Sequence, residues 1–227
     1  MPALAVTSRP AQRRRVFYLH GFASSPQSTK VGYFSARLRE HGVEAQCPDF
    51  NQPEFLTLTL TRMLDQLGAA LARPGGAPAT LIGSSLGGTL AILAAERFAD
   101  RVDRLVLLAP AVMFAKPGHH LLPQEQIADW RRLGALPFFH YGDQAERDLR
   151  FGFYEDSLQH DAFNATFRQP SLIFQGRHDA LVDHRMVEAF ASTRPNVTLT
   201  LLDDDHQLIA SLPHMWTDVR VFLGLAE

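Results

Sequence analysis

The sequence TLIGSSLGGTLA, residues 80–91, decides the fold of this 227-residue chain. Its first residues form an apolar run, its centre is the pentapeptide Gly-x-Ser-x-Gly around Ser85, and its last residues open an Ala/Leu-rich segment of helical character. A strand, a sharp turn and a helix in this order predict a nucleophile elbow with the serine at its tip. Gly83 and Gly87 then stand where strand and helix approach too closely to admit a Cβ atom.

The pentapeptide alone is weak evidence. Glycine and serine are common enough that Gly-x-Ser-x-Gly occurs by chance in roughly one chain of this length in fifteen. The apolar segment before it and the helical segment after it make the prediction specific, because a chance match rarely has both. The alternative is a glycine-rich turn that contains an incidental serine.

Composition and charge bound the class of protein. The chain is 46% apolar, which is enough for one sizeable core and predicts a single domain over residues 16–227. A net charge of -2 argues against nucleic acid and anionic membrane as partners. The single cysteine, Cys47, excludes an internal disulfide framework. No apolar run approaches the length of about eighteen residues that a membrane span needs.

Residues 1–15 predict a flexible, basic leader. The apolar run that follows, residues 16–19, is too short for the apolar centre of a secretory signal. We therefore predict a cytoplasmic protein. The basic residues of the leader are Arg9, Arg13, Arg14 and Arg15.

Short apolar segments alternate with helical patterns along the chain. Residues 56–72 repeat apolar side chains at spacings of three and four, which indicates one buried helical face. The alternation predicts right-handed crossovers and an α/β fold: a mostly parallel sheet of about six strands with helices on both faces. The predicted strands are residues 16–19, 43–46, 80–82, 104–110, 171–176 and 197–202.

The segment 111–169 is too long for a simple crossover between two strands, so it predicts an insertion. Its many aromatic residues either pack the insertion onto the body or form a cap over an apolar acyl or aromatic pocket. We predict a helical, aromatic cap in which most of these rings serve packing. They are Phe114, Trp130, Phe138, Phe139, Tyr141, Phe151, Phe153, Tyr154, Phe163 and Phe167.

A serine hydroxyl is a poor nucleophile, so it needs a base within reach and an acid that orients the base. Asp179 follows the predicted strand 171–176. His206 follows the predicted strand 197–202. The carboxyl ends of parallel strands share one edge of the sheet, and the order Ser, Asp, His is the one expected after an elbow serine. We therefore predict Ser85, Asp179 and His206 as catalytic residues.

Other acids and histidines compete for these roles. Asp183 and the acidic run 203–205 are alternative acids, although a residue adjacent to His206 points badly towards its Nδ1. The run 203–205 together with His206 could also suggest metal ligands, but adjacent carboxylates do not converge on one ion without a special loop. We predict no metal. The remaining candidates are interpreted as surface or packing residues: His178, His184 and His214.

The oxyanion of an acyl-transfer intermediate needs two backbone N–H donors. Leu86, directly after the serine, and Phe22, in the loop after the first strand, meet this description. Gly21 would let that loop approach the elbow, and His20 would anchor it by hydrogen bonding. The alternative for His20 is an ordinary loop histidine.

Four segments carry a resemblance: residues 18–26 (YLHGFASSP) with Lys30, residues 83–88 (GSSLGG), residues 176–179 (GRHD) and residues 205–206 (DH). They resemble the YqiA/YcfP-like family of small bacterial α/β-hydrolase esterases over about residues 16–222. The resemblance implies the α/β-hydrolase fold, with the predicted serine, acid and base on the family's triad positions. The insertion is longer than the lid of the smallest members, which leaves the acyl preference open.

The resulting functional prediction is a serine esterase or thioesterase that works without cofactor on a small-molecule acyl ester or thioester. Two alternatives stay open. One is a peptidase or acyltransferase of the same fold, because fold does not fix function. The other is a non-catalytic module that binds a small apolar ligand. The sequence leaves the oligomeric state open.

Overall fold

The structure, a computed structural model, describes residues 14–72, 76–116, 119 and 122–226. Residues 1–13 of the predicted leader lie outside the described residues. No helix in the described part of the chain is long and apolar enough to cross a membrane.

A six-stranded parallel sheet forms the centre of the molecule, with the strand order β2-β1-β3-β4-β7-β8. Strands β5 and β6 form a separate antiparallel hairpin. The sheet confirms the predicted α/β-hydrolase fold. The strands are β1 Arg15–Leu19, β2 Ala45–Gln46, β3 Ala79–Ser84, β4 Val102–Leu108, β5 Ala135–His140, β6 Ala145–Arg150, β7 Ser171–Gly176 and β8 Val197–Leu202.

Helices cover both faces of the sheet because the central strands bury both of their sides. Along β1, Val16 and Tyr18 pack into the core with α1 and α7, whereas Phe17 and Leu19 pack into the core with α2 and α3. Such continuous apolar strands are typical of parallel sheets. The helices are α1 Thr29–Glu40, α2 Leu60–Leu71, α3 Leu86–Arg97, α4 Gln124–Leu133, α5 Gly152–Ser157, α6 His184–Ser192 and α7 Leu212–Phe222.

Two elements are shorter than the sequence pattern predicts. Strand β2 has two residues. Helix α2 begins at Leu60 and not at residue 56, because the Thr59 side chain caps it by accepting a hydrogen bond from the Arg62 N–H at 3.0 Å. The Leu56 carbonyl instead accepts a hydrogen bond from the Arg150 N–H of β6. The residues before α2 therefore bind the insertion.

The insertion, residues 111–169, contains α4, α5 and the β5–β6 hairpin, and the hairpin was not predicted. Its centre is Trp130, which is fully buried, donates its indole N–H to the Leu149 carbonyl at 2.7 Å, and lies 5.0 Å from the Phe138 ring. Phe139 and Tyr141 are exposed on the hairpin. The other buried aromatics of the insertion are Phe151, Phe153, Tyr154 and Phe167.

Candidate active site

The turn between β3 and α3 forces Ser85 into an unusual backbone conformation, with φ 52° and ψ -116°. A positive φ is costly for a residue with a side chain and persists only where the surroundings hold it. Here the Ser85 N–H donates to the Leu108 carbonyl at 2.9 Å, and the Ser85 carbonyl accepts from the N–H of Gly88 at 2.9 Å. The turn therefore fixes the serine at the carboxyl edge of the sheet.

The two motif glycines lie where backbones touch. A Cβ atom on Gly83 would lie 2.7 Å from the carbonyl carbon of Gly87. A Cβ atom on Gly87 would collide with the Leu19 carbonyl and lie 2.8 Å from the His20 carbonyl oxygen. Both positions require glycine because the obstacles are backbone atoms that cannot rotate away.

We expect Gly87→Ala to lower the free energy of unfolding by about 3 kcal/mol, since the added methyl group overpacks the junction of β1 and α3. Gly32→Ala is the matched control. Gly32 lies inside α1 with no atom within 4 Å of its would-be Cβ, so this change should stabilise the protein by about 0.5–1 kcal/mol. Urea denaturation of both variants measures the difference, and equal stabilities would contradict the expected overpacking.

The structure brings Ser85, His206 and Asp179 into one line. His206 Nε2 lies 3.1 Å from Ser85 Oγ. On the other side of the ring, His206 Nδ1 lies 2.7 Å from Asp179 Oδ2. The side chain of Asp179 is fully buried, and that of His206 is 12% exposed. These are the contacts that a nucleophile, its base and an orienting acid require.

The Asp179 carboxylate is held by several donors. Its Oδ1 accepts the backbone N–H groups of Leu181 and Val182, both at 2.8 Å. Its Oδ2 accepts the Gln175 side-chain amide at 2.9 Å beside the imidazole. Burial alone would raise the pKa of Asp179, but the hydrogen bonds it accepts, above all that from His206, outweigh burial and lower the pKa. The ionised carboxylate only accepts, so the imidazole proton lies on Nδ1 and leaves Nε2 free to accept from Ser85.

A buried lysine lies near this acid. Lys30, in the first turn of α1, is 8% exposed. Burial lowers the pKa of Lys30 from 10.5 to about 8, against the opposing influence of three carboxylates, Asp179, Asp205 and Asp204. The folded protein therefore holds this ammonium group at a cost, because desolvation outweighs the attraction.

That cost has a defined pH dependence. Below pH 8 Lys30 is protonated in both the folded and the unfolded chain, so the desolvation penalty is present in full. Between about pH 8 and 10.5 Lys30 is protonated to a greater extent in the unfolded chain than in the folded chain, so its contribution to the free energy of unfolding rises with pH. We expect Lys30→Met to raise the free energy of unfolding at pH 7 by on the order of 2 kcal/mol. Denaturation of both proteins at pH 7 and pH 10 tests this, since the difference between their free energies of unfolding should be smaller at pH 10. A difference that stays constant would contradict the lowered pKa of Lys30.

The residues predicted for the oxyanion site lie against the elbow. A Cβ atom on Gly21 would lie 3.4 Å from the Ser85 Cβ, so the loop after β1 passes directly over the serine. Among the described residues, neither the Phe22 N–H nor the Leu86 N–H has a hydrogen-bond acceptor. Leu86 opens α3, where the first N–H groups have no partner within the helix. Both donors are therefore free to bind a ligand oxygen.

His20 is 2% exposed and ties this loop to a neighbouring one. The Phe50 N–H donates to His20 Nε2 at 3.1 Å, so the ring proton lies on Nδ1 and is donated to the Gly21 carbonyl at 3.0 Å. Burial lowers the pKa of His20 and favours the neutral ring. The sequence predicts an anchor for the loop at this position.

Three of the competing residues have other partners. Asp183 caps α6 by accepting the Arg185 N–H at 2.9 Å. His178 and Asp203 form an exposed pair at 2.6 Å. The described residues contain no group of three or more His, Cys, Asp or Glu side chains arranged to hold a metal ion.

Sequence reasoning missed two polar residues of the site. Gln175 is fully buried and contacts Asp179. A polar residue near the end of an otherwise apolar strand was the available signal. Asn51 donates its side-chain amide to the Ser24 carbonyl at 2.8 Å and so holds the loop after β1 in place. Nothing in the sequence distinguishes Asn51 from other loop asparagines.

Several solved structures have the same fold and a sequence identity to this chain of 14–23%. A putative hydrolase from Agrobacterium vitis is 23% identical with a TM-score of 0.76, covering 92% of this chain and 87% of that one. Est1E from Butyrivibrio proteoclasticus with bound ferulic acid is 20% identical with a TM-score of 0.73, covering 94% and 89%. A monoacylglycerol lipase from Paleococcus ferrophilus is 14% identical with a TM-score of 0.73, covering 95% and 96%.

Comparison with curated protein sequences returned no match. A family model does match, over residues 15–222, and it describes the uncharacterised protein family UPF0227. The match spans β1 to the end of α7 and so includes the elbow serine, the acid and the histidine. The chain therefore belongs to the UPF0227 family, the YqiA/YcfP-like group of α/β-hydrolase proteins.

Proposed function

We propose that this protein is a serine esterase or thioesterase that cleaves acyl esters through a covalent acyl-enzyme. The observation that carries the proposal is the continuous hydrogen-bonded line from Ser85 through His206 to Asp179, with contacts of 3.1 and 2.7 Å. Chemistry of this kind needs a base in contact with the nucleophile and an acid in contact with the base, and it needs no cofactor.

In the first half of the reaction, Ser85 Oγ attacks the substrate carbonyl carbon while His206 Nε2 takes the hydroxyl proton. The negative charge that develops on the carbonyl oxygen is stabilised by the N–H groups of Phe22 and Leu86. Asp179 stabilises the imidazolium and keeps the ring in its orientation. His206 then gives the proton to the departing alcohol or thiol, which leaves an acyl group on Ser85.

In the second half, His206 takes a proton from water, and the resulting hydroxide attacks the acyl carbon on the same face. The same two N–H groups stabilise the second oxyanion. Return of the proton to Ser85 Oγ releases the carboxylic acid and restores the enzyme. The burial of Asp179 supports this cycle, because a low-dielectric surrounding strengthens its interaction with the imidazolium.

The aromatic content of the insertion, residues 111–169, favours an ester with an apolar or aromatic acyl group as the substrate. Its aromatic rings continue to Phe22, whose ring lies 5.3 Å from that of Phe153. Two structural neighbours have substrates or ligands of related chemistry in their names, a monoacylglycerol lipase and Est1E with ferulic acid. On this proposal the insertion is the cap over the acyl group.

Labelling with a fluorophosphonate followed by intact-mass measurement and peptide mapping tests the proposal. We expect a single adduct on Ser85 in the wild type, no adduct in Ser85→Ala, and strongly slowed labelling in His206→Ala, because labelling needs an activated hydroxyl. A folded wild-type protein that takes no label would contradict the proposal and favour a ligand-binding module. Labelled protein that cleaves aminopeptidase substrates but no esters or thioesters would favour a peptidase.

A further inference from the structure

The loop after β1, residues 20–25, is attached to the insertion as well as to the body of the protein. The N–H of Tyr141, directly after β5, donates to the Ala23 carbonyl at 2.7 Å. Ala23 has a φ of 51°, a conformation that a residue with a side chain adopts only when its surroundings hold it. Beside this bond, a Cβ atom on Gly142 would lie 2.7 Å from the Ser25 Cβ, so the β5–β6 turn presses directly on the loop.

The ring of Phe22 is enclosed from the same side. It lies 5.4 Å from the Phe138 ring of β5 in an edge-to-face arrangement and 5.3 Å from the Phe153 ring of α5. A third ring, that of Phe55 in the segment before α2, lies 5.8 Å away. Phe22, the residue that offers its N–H to the oxyanion, therefore contacts the insertion through its side chain. Its neighbour Ala23 contacts the insertion through its main chain.

The carbonyl groups of this loop accept hydrogen bonds from two different parts of the protein. The Gly21 carbonyl accepts from His20, and the Ser24 carbonyl accepts from Asn51, both within the body of the protein. The Ala23 carbonyl alone among these three accepts from the insertion. It lies two peptide units after the one that carries the Phe22 N–H, so a change in this bond reaches that N–H through the φ and ψ angles of Phe22 and Ala23.

We propose that the β5–β6 turn is a positioning element for the oxyanion site, acting through the Tyr141 N–H on Ala23. The inference rests on the proposed function, since it assigns the Phe22 N–H to the oxyanion. It adds that the insertion contributes to the rate of the chemical step as well as to covering the substrate. Tyr141 is a positioning residue and touches no reacting atom.

The geometry of the turn provides a clean test. The Asp143 N–H donates to the His140 carbonyl at 3.1 Å, which places Tyr141 at the second position of a β-turn, where proline is favoured. Its side chain points outward and is 62% exposed. Tyr141→Pro removes the N–H at a turn position that favours proline and places its Cδ against the Ala23 carbonyl, which must move away. The control Tyr141→Ala removes the ring and keeps the N–H.

We expect Tyr141→Pro to lower kcat by about a hundredfold while KM changes by less than about twofold, because a small misplacement of a donor affects the transition state more than the ground state. Its affinity for an alkyl boronic acid, which forms a tetrahedral adduct with the serine, should fall by a similar factor. Tyr141→Ala should stay close to wild type in both measurements. Equal kcat values for the two variants would overturn the inference.

A second variant covers the case in which Tyr141→Pro does not fold. Gly142→Ala adds a methyl group against Ser25 from the same turn and should show the same selective loss of kcat, while a cooperative thermal transition shows that the variant is folded. A loss confined to KM would contradict the inference. A wild-type protein without label and without turnover would overturn the proposed function itself, whereas an active wild type with unaffected turn variants overturns only the role of the turn.

Discussion

Replacement of Ser85 by alanine is expected to lower kcat for ester hydrolysis by about a million-fold, the size of effect seen when a serine protease loses its nucleophile. The reason is that Ser85 Oγ is the atom that His206 Nε2 contacts at 3.1 Å, and an alanine side chain has no atom that could carry the acyl group. The oxyanion donors remain in the variant, so a small rate above that of water should survive. Stopped assays with a chromogenic acetate ester measure the loss.

Ser84→Ala is the matched control for this experiment. Ser84 is the neighbouring serine of the motif, ends β3 and is buried at 4% exposure. We expect this variant to keep its activity within a few-fold of wild type. Retention of a tenth of the activity by Ser85→Ala, or equal losses in both variants, would contradict Ser85 as the nucleophile.

Asp179→Asn should lower kcat by about ten-thousand-fold, by analogy with the corresponding change in serine proteases. The backbone N–H groups of Leu181 and Val182 need an acceptor, so the amide oxygen should take the place of Oδ1 and the amide NH₂ should face His206 Nδ1. The imidazole would then carry its proton on Nε2 and could not accept one from Ser85. Steady-state assays of the variant and the wild type on the same ester measure the loss.

The control for this change is Asp183→Asn. Asp183 is the nearest alternative acid in the sequence and caps α6, a role that asparagine also performs well. Its turnover should equal that of the wild type. A loss in Asp183→Asn together with retention in Asp179→Asn would exchange the two assignments.

The sequence is informative about the sheet and about the residues at its carboxyl edge. Apolar runs such as β3 and β7 are recognisable because both of their faces are buried, and a parallel sheet brings their ends together whatever lies between them. That is why the order along the chain predicts that Ser85, Asp179 and His206 lie together, as they do in the structure. Their distances to one another come only from the structure.

The strands of the insertion cannot be predicted from the sequence in the same way. Strand β6 has one buried residue, Leu149, among charged neighbours, so it carries no alternation that would indicate a strand. Strand β5 contains Pro137, which argues against a strand in most contexts. The hydrogen bond from Tyr141 to Ala23 uses a main-chain N–H that every residue except proline possesses, so no residue type could have pointed to it.

The strand order also determines when the site becomes complete. Ser85 and His206 are separated by 121 positions along the chain, and His206 follows β8, the strand next to β7 at the edge of the described sheet. Contacts between such distant positions form late, since closing long loops has to precede any gain from the contact. During synthesis the elbow and the loop after β1 emerge long before the histidine. On the proposed mechanism a nascent chain therefore has no esterase activity until β8, its last strand, has joined the sheet.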